Sequence, residues 1–334
     1  MAYRIGTRGS ALATTQTQWV ADAMTTADTA FEQVIIKTKG DVTTGSLANL
    51  GGTGVFATAL RQAVIDGDVD LAVHSLKDLP AKQPEQLRIA AIPARADHRD
   101  ALCAANGMTL DTLPKGAKIG TGSPRRVAQL LALRPDLEMV DIRGNVHTRL
   151  ARVKGYEHHH DNAPSAAGSP KGDLDAVVLA CAGIDRLGLD WAITQRIDPQ
   201  LMLPAPGQGA LAVEVSADRV LDPPLVAALA DHDQPAARLE ATAERALLAT
   251  LEAGCASPIG ALATYTDGRL HLDAVVASMD GSKTIRREAT TTLPVEAITD
   301  ETLAAAYQLG VEVATMMLDD GAYLLPPGPA RGNR

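Results

Sequence analysis

The sequence predicts an α/β protein with parallel-rich sheets and a small C-terminal α+β domain. Short runs rich in β-branched residues alternate with longer helical stretches along most of the chain, an order typical of parallel strands joined by helical crossovers. Several of these runs lead directly into polar or basic residues, and ligands of such sheets gather beyond the strand ends. After Leu270, two alternating segments and a terminal helix replace the earlier pattern, which indicates a separate smaller unit.

The α/β part contains seven predicted strands and four predicted helices, assigned from short apolar runs and from helical spacing of apolar residues. The strands are Tyr3–Ile5, Gln33–Lys37, Asp70–His74, Leu87–Ile92, Lys118–Gly120, Met139–Ile142 and Ala176–Ala180. The helices are Ala11–Met24, Val55–Asp66, Pro124–Leu133 and Val146–Lys154.

Two stretches interrupt this pattern. Gly155–Gly172 is rich in Gly, Pro, Ser and His, which predicts a surface loop. Its run His158–His160 favours a solvated loop over a metal site, because adjacent histidines do not converge and no further ligand set accompanies them. A second boundary lies at Asp231–Pro235, before a strongly helical run.

Composition narrows the possible function classes. The chain has 334 residues, a net charge of −9 and 3% aromatic residues, which disfavours binding to a phosphate backbone or stacking on bases. No segment approaches the ~20 continuous apolar residues of a membrane span, and the N-terminus has no apolar signal core. Cys103, Cys181 and Cys255 are far apart, without a CxxC pair. We therefore expect a cytoplasmic protein that binds neither nucleic acid nor a membrane.

A basic segment stands out in this acidic chain: residues 115–154 hold nine Lys or Arg and only three acidic residues. A solvated helix face accounts for Arg134, Arg152 and Lys154. Arg143 and Arg149 instead follow a strand, where they would face the ligand crevice.

The segment GTGSPRR within it predicts the start of a helix. Ser123 is a natural N-cap and Pro124 occupies the first helical position. Arg125 and Arg126 then fall in the first turn, where the helix dipole disfavours positive charge. That local cost indicates an anionic ligand with several carboxylates or phosphates.

The segment AVHSLKDLP is an apolar strand that ends in His, Ser, Lys and Asp. Surface decoration is the default interpretation of such a Lys–Asp pair. In a cleft opposite arginines, however, Asp78 becomes the best candidate for charge stabilisation or proton transfer.

Cys255, in LEAGCASPIG, differs from the other two cysteines. Cys103 and Cys181 lie in apolar stretches and are interpreted as buried hydrophobes, whereas small residues around Cys255 leave room for an adduct. The glycines of Leu50–Phe56 lack the Lys-Ser/Thr of a phosphate loop, which favours a flexible lid beside the cleft.

Nine collinear segments resemble the porphobilinogen deaminase family: RIGTRGSALA, GGTGVF, AVHSLKDLP, GTGSPRR, IRGNVHTRL, LACAGIDRLGL, LPAPGQGALAVE, TAERALL and LEAGCASPIG. The resemblance implies two lobes like those of periplasmic binding proteins plus a smaller α+β domain. Its implied boundaries are residues 1–95 with 207–228 for the first lobe, 98–203 for the second and 232–334 for the domain that carries the cofactor cysteine.

The resemblance also implies chemistry. A dipyrromethane cofactor would be attached to Cys255 through a thioether and would prime the joining of four porphobilinogen molecules, with loss of ammonia, into the linear tetrapyrrole hydroxymethylbilane. Because porphobilinogen carries an acetate and a propionate, the growing chain accumulates carboxylates. We expect a monomer that passes its product to a downstream tetrapyrrole cyclase.

The same resemblance implies roles for individual residues. Asp78 would stabilise the positive charge that develops near the pyrrole N–H groups. The implied contacts to cofactor carboxylates are Lys77, Thr121, Ser123, Arg125 and Arg126. The residues implied to orient the incoming pyrrole and the lengthening chain are Arg8, Ser10, Arg143, Arg149 and Arg186.

The chain departs from the family pattern at four points, one of which is the greater length of the Gly155–Gly172 loop. Thr53 and Asn49 stand where lysines are common in and before the glycine lid, and Gly122 replaces a common serine. The expected consequences are weaker lid contacts to carboxylates and the loss of one hydroxyl contact.

Two other functions remain open from the residues alone, because fold does not fix function. One is a non-catalytic two-lobed binding protein for an organic anion; the other is the effector domain of a transcription regulator. The missing signal core and the additional cysteine domain disfavour the first, and the lack of a helix-turn-helix before the lobes disfavours the second.

Overall fold

The computed structural model describes residues 2–37, 55–156, 170–252, 257–293 and 298–324. The strands in these ranges are β1 (Tyr3–Thr7), β2 (Phe31–Ile35), β3 (Leu71–Ser75), β4 (Leu87–Ala91), β5 (Asp100–Ala104), β6 (Lys118–Gly120), β7 (Glu138–Val140), β8 (Ala176–Ala180), β9 (Gln195–Arg196), β10 (Leu211–Ser216), β11 (Ile259–Thr266), β12 (Arg269–Ala277) and β13 (Thr284–Thr292). The helices are α1 (Ala11–Met24), α2 (Val55–Ile65), α3 (Pro124–Leu133), α4 (Val146–Leu150), α5 (Cys181–Asp185), α6 (Pro223–His232), α7 (Pro235–Thr250) and α8 (Asp300–Asp319).

Two five-stranded sheets share one topology. Their strand orders are β2-β1-β3-β10-β4 and β7-β6-β8-β5-β9. In the first sheet β1 runs parallel to β2 and β3, while β10 is antiparallel to β3 and β4. In the second, β6 runs parallel to β7 and β8, while β5 is antiparallel to β8 and β9. The predicted α/β class with parallel-rich sheets is confirmed.

The chain passes between these sheets twice. Residues 92–99 lead from β4 into β5, and residues 197–210 lead from β9 into β10. We call them the first and second crossing segments. The first segment ends in β5 and the second in β10, which are the antiparallel strands of the sheets that they enter. The two segments run beside each other, since the Ala96 N–H donates to the Gly209 carbonyl at 3.2 Å.

Helices bury their apolar faces on each sheet. Val20 and Met24 of α1 pack with Leu71 and Val213 in the core of the first sheet, and Leu130 of α3 packs with Ile119 and Leu102 in the second. Complete burial of such a side chain contributes about 1.5–3 kcal/mol. These cores hold the strand ends, and the polar residues that follow them, in fixed positions.

The C-terminal unit is a three-stranded antiparallel sheet in the order β11-β12-β13, covered by α7 and α8. Leu247, Leu272 and Val313 are completely buried between these layers. Helix α8 begins with a capping box formed by Thr299 and Thr302. The predicted small α+β domain is confirmed.

Four strands were not predicted from the sequence, and one helix is several residues shorter than predicted. The unpredicted strands are β5, β9, β10 and β11. All five residues of β5 are buried, so it has no period-2 alternation to reveal it. The helix predicted over Val146–Lys154 ends at Leu150, because Val153 pairs with Leu174 in an isolated β-bridge.

Candidate functional site

Polar side chains following β1 and β3 meet at one edge of the first sheet, as expected for parallel neighbours. Arg8, Ser10 and Asp78 line a pocket of about 90 Å³. The hydroxyl of Ser10 caps α1 by accepting the Ala13 N–H at 3.3 Å. Asp78 is exposed and ends a single 3₁₀ turn, Leu76–Asp78, that follows β3.

Lys77 precedes Asp78 and points toward the second crossing segment. Its Nζ donates to Oε1 of Gln208 at 3.4 Å. Burial lowers the pKa of Lys77 to about 8; the Asp78 carboxylate raises it, while the charge of Arg126 lowers it. Gln208 also donates to Asp100, which binds Arg126, so Lys77 on the first lobe is joined through Gln208 to the charged groups of the second.

The start of α3 follows the sequence prediction in position but not in every contact. Ser123 occupies the N-cap, yet its side chain makes no capping hydrogen bond. Thr121 Oγ1 instead accepts the Ser123 N–H at 3.2 Å. A side chain at Gly122 would begin 2.7 Å from the carbonyl oxygen of Ile142, so this backbone excludes a serine there unless it shifts.

Arg125 and Arg126 bind a carboxylate of the chain itself. Both are nearly buried, and Asp100 of β5 accepts from Arg125 Nη1 at 2.6 Å and from Arg126 Nη2 at 2.7 Å. Arg125 also donates to the Leu203 carbonyl, and Arg126 to that of Val178. Among the described residues, Arg125 Nε is buried without a hydrogen-bond partner. At least part of the negative charge that the paired arginines predicted is therefore the carboxylate of Asp100, a residue of the same chain.

Three further predicted arginines lie around this centre in different environments. Burial, together with the charges of Arg126 and Arg143, lowers the pKa of Arg149 to about 10, and its Nε donates to the Gly144 carbonyl at 2.8 Å. Arg143 is exposed and 3.8 Å from Asp141. Arg186 Nη2 donates to the Gly209 carbonyl at 2.9 Å, and burial lowers its pKa to about 10.

Two residues of this centre, Asp100 and Gln208, were not predicted from the sequence; both are completely buried. Gln208 Nε2 donates to Asp100 Oδ1 at 2.9 Å and to the His98 carbonyl at 2.9 Å. Gln208 therefore joins Lys77 of the first lobe to Asp100 and the arginine pair of the second. The two glycines that flank Gln208 were a signal in the sequence that the backbone turns there, and both adopt positive φ. The hydrogen-bond partners of Gln208, however, could not be predicted from the sequence.

Several predicted features lie outside the described residues. They are Cys255, Asn49, Thr53, the glycines of the predicted lid and residues 157–169, which include His158–His160. Helix α7 is described to its end at Thr250, shortly before Cys255. In the described ranges, no helix combines the length and apolarity needed to span a membrane, and no three His, Cys, Asp or Glu residues are grouped to hold a metal ion.

Comparison with known proteins gives family matches over most of the chain. Residues 3–221 match the family described as "Porphobilinogen deaminase, dipyromethane cofactor binding domain", and residues 238–319 match "Porphobilinogen deaminase, C-terminal domain". A porphobilinogen deaminase of Micrococcus luteus is 60% identical over 362 residues, covering 98% of this chain and 95% of that protein. One from Cutibacterium acnes is 53% identical over 327 residues, covering 96% of each.

Proposed function

The chain belongs to the porphobilinogen deaminase family, and we propose that it joins four porphobilinogen molecules head to tail into hydroxymethylbilane through the cleft residues described above. The observation that carries the assignment of the site is the hydrogen-bonded chain that links the two lobes. Lys77, next to Asp78, donates to Gln208 at 3.4 Å, Gln208 donates to Asp100 at 2.9 Å, and Asp100 accepts from Arg126 at 2.7 Å. A cationic cleft of this kind in a chain of net charge −9 suits a ligand that gains carboxylates as it grows.

The donors in the cleft fit a dipyrromethane, whose side chains are carboxylates. Lys77 provides an ammonium, and the Ser123 hydroxyl makes no bond to its own helix. Arg125 and Arg126 add positive charge behind them, although they share their guanidinium groups with Asp100. We assign Lys77, Thr121, Ser123, Arg125 and Arg126 to the carboxylates of this cofactor and Cys255 to its thioether.

A bound dipyrromethane supplies the pyrrole α-carbon to which the first substrate unit joins. Asp78 is exposed and lines the pocket, so its carboxylate can receive a pyrrole N–H. Its negative charge stabilises the cationic, ammonia-releasing form of porphobilinogen and holds the ring in place. Arg8, Ser10, Arg143, Arg149 and Arg186 would orient the carboxylates of the incoming unit and of the lengthening chain.

The wider setting follows from the same proposal. We assign the lobes to residues 1–95 with 207–228 and to 98–203, and the cofactor domain to 232–334. The resemblance to the family implies a cleft within one chain, and we propose that the protein acts as a monomer. It would work in the cytoplasm and release its product to a tetrapyrrole cyclase.

Intact-mass spectrometry of the denatured protein, with Ehrlich's reagent on the same sample, tests the function. We expect a dipyrrole-sized excess mass that maps to Cys255, together with the colour of a free α-pyrrole. Cys255→Ser should carry no adduct, because its hydroxyl cannot form the thioether. Cys103→Ala and Cys181→Ala are matched controls that should retain it, since burial raises the pKa of both thiols to about 12 and leaves them inert.

An unmodified wild-type mass would be followed by addition of porphobilinogen or of preformed tetrapyrrole. If neither produces an adduct, the proposed function is wrong and a two-lobed anion-binding protein replaces it. An adduct that persists in Cys255→Ser would move the attachment site to another residue.

The pH dependence of cofactor uptake tests the role of Lys77. The rate at which apoprotein forms its adduct with preformed tetrapyrrole should fall as the pH rises through about 8, because Lys77 then loses the charge that attracts carboxylates. Lys77→Arg should remove this fall, since a guanidinium stays protonated. Arg149 and Arg186, with pKa values of about 10, keep their charges in this range.

Lys118→Arg, at an exposed lysine paired with Glu138, is the control and should keep the wild-type profile. An unchanged fall in Lys77→Arg would assign the pH dependence to another group and remove Lys77 from the cofactor site.

A further inference from the structure

Helix α7 of the C-terminal unit reaches into the first lobe at the turn that carries Asp78. The guanidinium of Arg245 contacts three successive backbone carbonyls there. Its Nη2 donates to the Pro80 oxygen at 2.8 Å and to the Ala81 oxygen at 2.9 Å, and Nη1 donates to the Leu79 oxygen at 3.5 Å. One side chain thus binds the backbone immediately after the proposed catalytic carboxylate.

These carbonyls need an external partner. The 3₁₀ turn Leu76–Asp78 closes with a single bond from the Leu79 N–H to the Leu76 carbonyl, and Pro80 cannot continue it. The carbonyls beyond the end of a helical turn have no partner within the turn itself. A planar guanidinium can bind several of them at once, so Arg245 fixes the direction in which the chain leaves Asp78.

The other side of the same turn is held by the second crossing segment. A Cβ atom at Gly207 would lie 3.1 Å from the backbone nitrogen of Lys77, so the backbones of these two residues are in close contact. Glu244, next to Arg245, accepts the Gly207 N–H, and its carboxylate also binds Arg95 Nη1 at 2.7 Å. Adjacent residues of α7 therefore secure both flanks of the Lys77–Asp78 turn.

We propose that Arg245 is a positioning residue, which sets the place of the Asp78 carboxylate relative to the pyrrole held from the C-terminal unit. Helix α7 ends at Thr250, five residues before Cys255 in the sequence, so the helix that holds the Asp78 turn belongs to the same unit as the proposed attachment point. The inference rests on the proposed function, because it assigns Arg245 a place in that reaction and no chemistry of its own.

The test compares Arg245→Met and Arg245→Lys with wild type, each first shown by intact mass to carry the dipyrrole. We expect Arg245→Met to lower kcat by ~10- to 100-fold, as displacement of a catalytic group by about 1 Å does, with little change in KM. Arg245→Lys should lose less, since an ammonium still reaches one carbonyl. A third variant, Arg245→Ala, removes the side chain and leaves its space open. Guanidinium added to the solution should restore part of the activity of this variant.

Arg238→Met is the matched control. Arg238 lies on the same helix and also donates to a backbone carbonyl of the first lobe, that of Ile89 at 3.3 Å, but Ile89 belongs to β4 and not to the turn that carries Asp78. We expect it to alter the unfolding midpoint without lowering kcat. In an Asp78→Glu background, Arg245→Met should cost much less activity than in wild type, because the carboxylate is already displaced.

Three results would overturn the proposal: an unchanged kcat in folded, dipyrrole-loaded Arg245→Met; an equal loss in Arg238→Met; or fully additive losses with Asp78→Glu. If Arg245→Met fails to fold, Arg245→Lys and its kcat decide the question in the same way. These outcomes leave the proposed function standing, which fails only if wild type carries no dipyrrole and releases no hydroxymethylbilane.

Discussion

Replacing Asp78 with asparagine should lower kcat for hydroxymethylbilane formation by at least ~10²-fold. The amide keeps the size of the side chain and one acceptor oxygen but loses the negative charge that stabilises the cationic substrate. Asp78 is exposed at the end of its turn, so folding should be unaffected. Single-turnover rates on protein loaded with preformed tetrapyrrole measure the effect directly.

Asp68→Asn serves as the control for this variant. Asp68 is also exposed and lies just before β3, whereas Asp78 lies beyond its other end. The control should turn over at the wild-type rate. Near-normal activity in Asp78→Asn, or an equal loss in Asp68→Asn, would mean that the Asp78 carboxylate does not act on the substrate.

Replacing Asp100 with asparagine should destabilise the protein by about 3–5 kcal/mol, since it leaves two buried guanidinium groups without a counter-charge. Burial alone would raise the pKa of Asp100, but Arg125 and Arg126 hold it well below its usual range. A carboxyl with a depressed folded-state pKa contributes stability above its unfolded value of about 3.9 and loses that contribution on acidification. Urea unfolding at pH 7 measures the difference.

The control for Asp100 is an exposed pair with similar geometry. Asp173 binds Arg152 through both carboxylate oxygens, at 2.5 and 2.6 Å, but its side chain is 39% exposed. Asp173→Asn should cost less than about 1 kcal/mol, as solvent-exposed ion pairs do. Equal losses at the two positions would contradict a buried charge cluster at Asp100.

The Asp100 cluster also bears on how the cleft works. Asp100 neutralises part of the charge of Arg125 and Arg126, so in the proposed site Lys77 and Ser123 would contribute more to binding an incoming carboxylate than the arginine pair. The internal carboxylate of Asp100 holds both arginines in place without a ligand. In the proposed function, these side chains would therefore need little rearrangement to bind an anion.

The sequence by itself determined the fold class and indicated which polar residues lie together at one edge of the first sheet. The predicted bounds of α1, α3, β6 and β8 agree with the structure, because buried faces and helix starts leave local periodic and capping signals. The polar residues after β1 and β3 could be placed together, since parallel neighbouring strands end at one edge.

Only the tertiary structure decided what the arginine pair and the Asp78 turn are bound to. Asp100 lies in a strand without alternation, and Gln208 reaches it across 108 residues of chain. Arg245 reaches the Pro80 carbonyl across 165 residues. The pattern of apolar residues within one helix or strand indicates which of its residues are buried. The contacts of Asp100, Gln208 and Arg245 instead depend on the two crossing segments and on helix α7, which packs against them. Long-range pairing of charges with carboxylates and carbonyls leaves no periodic signal in a single sequence.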